Sequence, residues 1–167
     1  MNIRAILYDF DGVMTDNKVL VSEDGKESVL VNRSDGLAIS YFKKLEIDQA
    51  IISSESNKVV KQRARKLDIE VHQNVQNKYD FVKKFLIKKK LKPSEVFFVG
   101  NDLNDLEVIN YLPQTFCPED ANKKILDSSA TILNKKGGKG VIMALYEHFL
   151  ENFLGWSIYS WGNRNKS

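Results

Sequence analysis

The sequence predicts an α/β fold, a three-layer doubly wound parallel sheet, on three observations. Apolar runs at residues 3–8, 49–52 and 96–99 are continuous rather than alternating, the pattern of strands buried on both faces. Stretches of helical periodicity lie between them. Each run ends abruptly in polar residues, and an open parallel sheet binds its ligands beyond the carboxyl ends of its strands.

Taken in order, residues 3–8 form a strand that delivers Asp9. Residues 19–31 alternate around Glu23-Asp24-Gly25-Lys26 and predict a hairpin, spanning about 18–32, with its turn at Asp24-Gly25. Leu37, Ala38, Phe42 and Leu45 give a helical stripe. Residues 49–52 form a second strand ending at Ser53; residues 57–67 and 78–91 are helical. Residues 96–99 form a third strand ending at Gly100-Asn101-Asp102, with a helix from about 104 to 111. Short strands are expected at 115–116 and 130–132, and a closing helix at 141–153. Crossovers between the parallel strands should be right-handed.

Composition narrows the class. The 167 residues, 43% hydrophobic and 28% charged, fit one globular domain and exclude a disordered, collagenous or membrane-spanning chain. Lys+Arg 25 against Asp+Glu 22 leaves +3, too even for a protein whose main task is gripping nucleic acid. The basic run Lys83-Lys84 and Lys88-Lys89-Lys90 sits among Phe81, Val82, Phe85 and Leu86 and is expected to be a solvated helix face. The lone Cys117 cannot close an internal disulfide, and its neighbours suggest a half-buried spacer. The apolar start is too short for a signal peptide or membrane helix, so a cytoplasmic location is expected.

The three strand ends deliver Asp9-Phe10-Asp11-Gly12-Val13-Met14-Thr15-Asp16, then Ser53-Ser54-Glu55, then Gly100-Asn101-Asp102-Leu103-Asn104-Asp105, while Lys78 opens the intervening helix. Crowded carboxylates call for a cation, and oxygen ligands with few protein groups suit Mg²⁺. The histidines, His72 and His148, lie far from these motifs and are expected to be ordinary helix or loop residues. A carboxylate beside Mg²⁺ can attack phosphorus, and a second one two residues on can protonate the leaving alcohol and then activate water. Gly12 permits a sharp turn that brings backbone N–H groups toward a phosphate, and a serine and a lysine can hold the phosphoryl oxygens.

These four motifs, in order, resemble those of the haloacid dehalogenase superfamily, aspartate-nucleophile phosphohydrolases with a Rossmann-like fold. The resemblance implies Asp9 as nucleophile and Asp11 as general acid/base. It implies Mg²⁺ held by Asp9, the Asp11 carbonyl and Asp102, and a phosphoryl group gripped by Ser53 and Lys78. Asp105 is then expected to orient Lys78 or a metal-bound water, with Gly12 and Asn101 in support.

Thr15-Asp16, the hairpin, Asn32-Arg33-Ser34-Asp35-Gly36 and the late Gly137-Gly138-Lys139-Gly140 resemble the capless branch of that superfamily. It includes phosphatases of 3-deoxy-D-manno-octulosonate 8-phosphate and of nonulosonate 9-phosphates, and a phosphatase-like domain that follows some sialic acid cytidylyltransferases. The resemblance implies a homotetramer in which hairpins associate and a neighbouring subunit closes each site, as a chain with no room for a lid requires.

Ser53-Ser54-Glu55 departs from the Thr-Gly-Arg usual in octulosonate phosphatases and is closer to the Ser/Thr-Glu form of the nonulosonate group. Glu55 with Arg63 and Lys66, one turn apart, is expected to contact the sugar acid. Thr15, Asp16, Arg33, Asp35, Gly36 and Ser54 complete the expected substrate residues. Ser34 separates Arg33 from Asp35, unlike the Arg-Asp-Gly of the family. The late glycines are expected to let the backbone approach substrate or a neighbour. The aromatic tail, about 153–167, holds both tryptophans and is expected to dock on a core or an interface. The expected function is a Mg²⁺-dependent phosphatase of a sugar-acid phosphate, preferably a nonulosonate 9-phosphate. The alternatives are an octulosonate 8-phosphate phosphatase and a non-catalytic tetramerisation domain.

Overall fold

The computed structural model describes residues 2–154. Residues 155–167, with most of the aromatic tail, lie outside the described residues. The strands are β1 (Ala5–Tyr8), β2 (Leu20–Val21), β3 (Glu27–Ser28), β4 (Asp48–Ile52), β5 (Glu70–His72), β6 (Val96–Val99), β7 (Thr115–Pro118) and β8 (Thr131–Leu133). The helices are α1 (Arg33–Lys44), α2 (Lys58–Leu67), α3 (Lys78–Lys89), α4 (Leu106–Tyr111), α5 (Lys123–Leu126) and α6 (Val141–Phe153).

Six strands form one sheet in the order β5-β4-β1-β6-β7-β8, with every pairing parallel. Side chains alternate between two cores. Ile6, Tyr8, Ile51, Phe97 and Val99 meet α1, α2 and α6 on one face. Leu7, Ala50, Ile52, Val96 and Phe98 meet α3, α4 and α5 on the other. This is the three-layer architecture expected, and it explains why these strands carry no polar side. β1 is central, so its carboxyl end is flanked by those of β4 and β6.

Four expectations need correction. The buried face of α1 is Asp35, Ala38, Ile39 and Phe42, whereas Leu37 and Leu45 are exposed. The helix is turned by Asp35, which reaches under α6. β5 and α5 were not anticipated: β5 is a short half-buried edge strand, and α5 is a single turn started by the Asn122 side chain. His72 therefore lies on a strand, not on a helix or loop. Cys117 is fully buried, and burial pushes its thiol up to about 11.

The hairpin forms at the expected turn, with Leu20 opposite Ser28 and Val21 opposite Glu27. Its paired strands are only two residues each, and Leu20 and Leu30 are 72% and 81% exposed. Asn57 Nδ2 donates to Glu27 Oε2 at 2.9 Å and ties the hairpin to the loop before α2. The basic face of α3 is solvated as expected, with Lys83, Lys84 and Lys88 exposed. Among the described residues, no helix is long and apolar enough to cross a membrane.

Candidate active site

The strand ends do converge. A cleft of about 400 Å³ opens at the carboxyl edge of the sheet, lined by Asp9 and Asp11, by Ser53, Ser54 and Glu55, and by the turn from Asn101 to Asn104. β1 carries Asp9 to the edge, where its N–H donates to Val99 O at 2.8 Å and locks it beside β6. The backbone then turns sharply. Gly12 takes φ +79, and a Cβ there would collide with the Asn101 side chain. Glycine is thus required twice, by conformation and by contact.

Lys78 is the electrostatic centre. It opens α3, whose N-cap Asn77 accepts from Asp80 N at 2.8 Å. Its Nζ lies 2.8 Å from Asp9 Oδ2 and 2.7 Å from Asp105 Oδ1, with only 2% of the residue exposed. Burial disfavours the ammonium, but the two carboxylates outweigh it and hold the Lys78 pKa above its ordinary value. Burial, followed by the charge of Asp105, pushes the Asp9 carboxyl well above the usual carboxylate range; Lys78 pulls the other way. Asp11 is also raised, first by burial and then by Glu55, as a proton donor to a leaving group should be.

Asp105 anchors the third strand end. Its Oδ2 accepts from Asn101 N at 2.9 Å and from Asp102 N at 3.2 Å, so one carboxylate positions both Lys78 and the following turn. Asn101, 6% exposed, aims its amide at the first motif, 2.7 Å from Asp11 O and 3.2 Å from Asp9 Oδ2. Asp102 lines the cleft with Asp9 and Asp11, and its Oδ1 accepts from Leu103 N at 2.7 Å and from Asn122 Nδ2 at 3.1 Å. Ser53 is buried, its Oγ accepting from Glu55 N at 3.1 Å; Ser54 Oγ accepts from Asn104 Nδ2 at 3.2 Å and joins the second and fourth motifs. Asn17, Asn104 and Asn122 were missed by the sequence reading. Only the Asn in Leu103-Asn104-Asp105 offered a local cue, because its neighbours were already of interest.

Several expected substrate residues do other work within this chain. Thr15 is buried, and its Oγ1 accepts from Gly12 N and Asn17 N, both at 3.2 Å, stitching the turn. Asp16 is half-buried beside the late glycine loop. Asp35 Oδ1 accepts from Ile142 N at 3.0 Å and Met143 N at 3.2 Å, capping α6 rather than facing the cleft. Gly36 faces Leu67 and Arg63 between α1 and α2, and Arg33 is exposed. Arg63 Nη2 donates to Asn32 O at 2.9 Å, and burial lowers its pKa. Lys66 is exposed on α2. Of the group Glu55, Arg63 and Lys66, only Glu55 lines the cleft of its own chain. The late loop is also reassigned. A Cβ at Gly137 would strike Gly12 and Thr15 backbone, and Gly138 N donates to Val13 O at 3.0 Å, so these glycines press on the first motif turn.

The model of the haloacid dehalogenase-like hydrolases matches residues 37–145. The chain belongs to that family. It is 29% identical to the 3-deoxy-D-manno-octulosonate 8-phosphate phosphatase KdsC of Yersinia pestis, over 94% of this chain and 88% of the relative. A HAD family hydrolase structure from Streptomyces avermitilis is 34% identical, with a TM-score of 0.85 over 90% of this chain and 87% of the other. The octulosonate 8-phosphate phosphatase of Moraxella catarrhalis, in complex with magnesium, phosphate and KDO, is 25% identical, with a TM-score of 0.85 over 89% and 86%. The phosphoric monoester hydrolase reading of the motifs stands, and a divalent metal belongs to it.

The residues fit such a metal. Asp9, the Asp11 carbonyl and the Asn101–Asp102 turn offer only oxygen and amide groups at the bottom of the cleft, a hard-cation donor set.

Proposed function

We propose that the protein is a Mg²⁺-dependent phosphatase that removes the terminal phosphate of a sugar acid through an aspartyl phosphate. One observation carries this reading: buried Lys78 bridges Asp105 and Asp9, and Asp9 lines a cleft together with Asp11 and Ser53. The metal, held by Asp9, the Asp11 carbonyl and the 101–102 turn, would neutralise phosphoryl oxygens.

The carboxylate of Asp9 attacks phosphorus, and the bond to the sugar oxygen breaks. Asp11 gives its proton to that departing oxygen. It then takes a proton from the water that attacks the aspartyl phosphate at phosphorus, releasing inorganic phosphate and restoring Asp9. Lys78 and Ser53 hold the phosphoryl oxygens throughout.

The substrate body is assigned to a groove of about 610 Å³ between the hairpin and the loop before α2. Glu55 lines both the groove and the cleft, so it stands where phosphate gives way to sugar. Its carboxylate suits sugar hydroxyl groups, and Glu55 standing where octulosonate phosphatases usually have arginine favours a nonulosonate 9-phosphate. The second reading, octulosonate 8-phosphate, is favoured by the activity named for the Yersinia relative. Comparing kcat/KM on both phosphates decides. A ratio above about tenfold for the 9-phosphate supports the first reading, and the reverse ratio supports the second. Equal inactivity on both overturns the sugar-acid assignment.

A homotetramer is part of the proposal. Val19, Leu20, Val21 and Leu30 leave apolar hairpin surface exposed, and a neighbouring copy would both cover it and roof the open cleft. Leu20→Glu is expected to shift the mass measured by light scattering toward monomer and to lower kcat. An unchanged tetramer would remove the hairpin from the interface. Fully buried Cys117 suits a reducing, cytoplasmic setting.

A further inference from the structure

The cleft is graded from floor to rim. Asp9, Ser53 and Lys78, the groups assigned to phosphoryl transfer, are buried. Asp11 is half-buried, and Asn17 and Glu55 are exposed where the cleft opens. A monoester with its phosphorus at Asp9 and its leaving oxygen at Asp11 therefore sends its alcohol portion toward the rim that Asn17 and Glu55 line. Burial, then the charge of Glu55, raises the Asp11 carboxyl, so those two acidic groups are neighbours.

This part of the wall is short of donors, because an ionised carboxylate only accepts hydrogen bonds. Asn104 Nδ2 is spent on Ser54 Oγ at 3.2 Å. The Asn17 amide offers two donor hydrogens and an acceptor oxygen, and among the described residues it has no hydrogen-bond partner.

The backbone fixes where that amide stands. Asn17 takes φ 62, in the left-handed region. Its N–H donates to the buried Thr15 Oγ1 at 3.2 Å, and the same oxygen accepts from Gly12 N. The late loop braces the segment from behind: Gly138 N donates to Val13 O at 3.0 Å, and a Cβ on Gly138 would come within 2.8 Å of Asp16 N. Glycine adopts a positive φ at no steric cost, so the turn itself needs no side chain at position 17. Asparagine tolerates the conformation and adds an amide.

We propose that Asn17 is a specificity-determining residue whose amide hydrogen-bonds the hydroxyl on the carbon next to the phosphate ester. The proposal rests on the phosphatase reading above and sharpens its substrate class to esters of a primary alcohol with a neighbouring hydroxyl. An amide donates to one hydroxyl oxygen and accepts from the next, a pairing that Glu55 and an ionised Asp11 cannot make. An ester without hydroxyl groups leaves the amide idle. Asn17 thus governs the choice among alcohols, and the buried floor governs the grip on phosphate.

The test compares wild type with Asn17→Gly, which keeps the turn and deletes the amide. kcat/KM is measured with Mg²⁺ and the full chain on the octulosonate 8-phosphate, a nonulosonate 9-phosphate, and 4-nitrophenyl phosphate, which has no hydroxyl group. The ratio of kcat/KM for the better sugar-acid phosphate to that for 4-nitrophenyl phosphate should fall at least about tenfold in Asn17→Gly, while the inhibition constant of inorganic phosphate stays within about threefold. An unchanged melting temperature would show that the ratio reports contact and not folding. With both sugar-acid phosphates or either one hydrolysed by wild type, an unchanged ratio overturns this proposal alone. So does a phosphate inhibition constant weakened as much as the ratio, which would move Asn17 to the phosphoryl group. A wild type that hydrolyses 4-nitrophenyl phosphate but neither sugar-acid phosphate, or hydrolyses nothing, overturns the substrate reading and this proposal with it.

Discussion

Two regions of this molecule bury ionisable groups, and they do opposite things with them. At the strand ends, Asp9, Lys78 and Asp105 form a compact set with separations of 2.7 and 2.8 Å, and Asp9 lines a cleft. Between α1, α2 and α6, Asp35 and Arg63 are brought near each other with no direct ion pair among the described residues, and with no cleft. Asp35 Oδ2 and Arg63 Nε have no hydrogen-bond partner among the described residues. The first arrangement borders a cleft with space for a cation and a reacting group. The second closes on backbone, at Ile142, Met143 and Asn32. Burial and charge therefore do not identify a catalytic group; a neighbouring space for a ligand does.

The comparison breaks most sharply under Asp9→Asn. That change removes the proposed nucleophile and relieves a carboxyl held against its burial. Turnover should fall by roughly 10³-fold or more, while the melting temperature holds or rises. Residual activity near wild type would dismiss Asp9.

Asp105→Ala comes next. It leaves Lys78 with Asp9 alone and frees the 101–102 turn. A loss of about 3–5 kcal/mol in denaturant unfolding is expected, with activity lost alongside. A stable, active variant would show that the triad is not a unit.

Asp35→Asn tests the second region by pH. Burial raises the Asp35 carboxyl to about 6, against the lowering effect of the Ile142 and Met143 amides and Arg63. The folded state thus holds a proton more firmly than the unfolded one. The stability contributed is fully present below the unfolded pKa and is lost as pH rises through about 6. The amide keeps the Oδ1 acceptor and never ionises. Wild type and variant should match in acid, and the variant should be more stable at pH 8, on the order of 2–3 kcal/mol by urea titration. Parallel pH curves would refute it. Activity should be retained, in contrast to the first two variants.

Arg63→Ala is the mildest, costing about 1 kcal/mol through the lost bond to Asn32 O. A large rise in KM with unchanged stability would instead return Arg63 to substrate binding, from a neighbouring copy.

The same contrast explains what was legible in the sequence. β1, β4 and β6 were legible because strands buried on both faces are continuous apolar runs, and their final polar residues named the site in advance. Lys78 was legible because it starts a helix between two such ends. Asp35 and the late glycines were not, because their partners lie about a hundred residues away and spacing cannot report a cap supplied to another helix. The α1 face was misjudged for the same reason: a buried carboxylate replaced Leu37 in the stripe. Asn101 and Asp102 differ by one position in a turn, and only backbone geometry tells which side chain faces Asp9.

The most direct measurement is chemical trapping of the intermediate. The full chain is quenched with borohydride during turnover of a sugar-acid phosphate, and its peptides are analysed by mass spectrometry. Conversion of Asp9 to homoserine, dependent on Mg²⁺ and absent without substrate, is the predicted result. Steady phosphate release with Asp9 unmodified would contradict the aspartyl-phosphate route on which the assignment of Asp9, Asp11 and Lys78 depends.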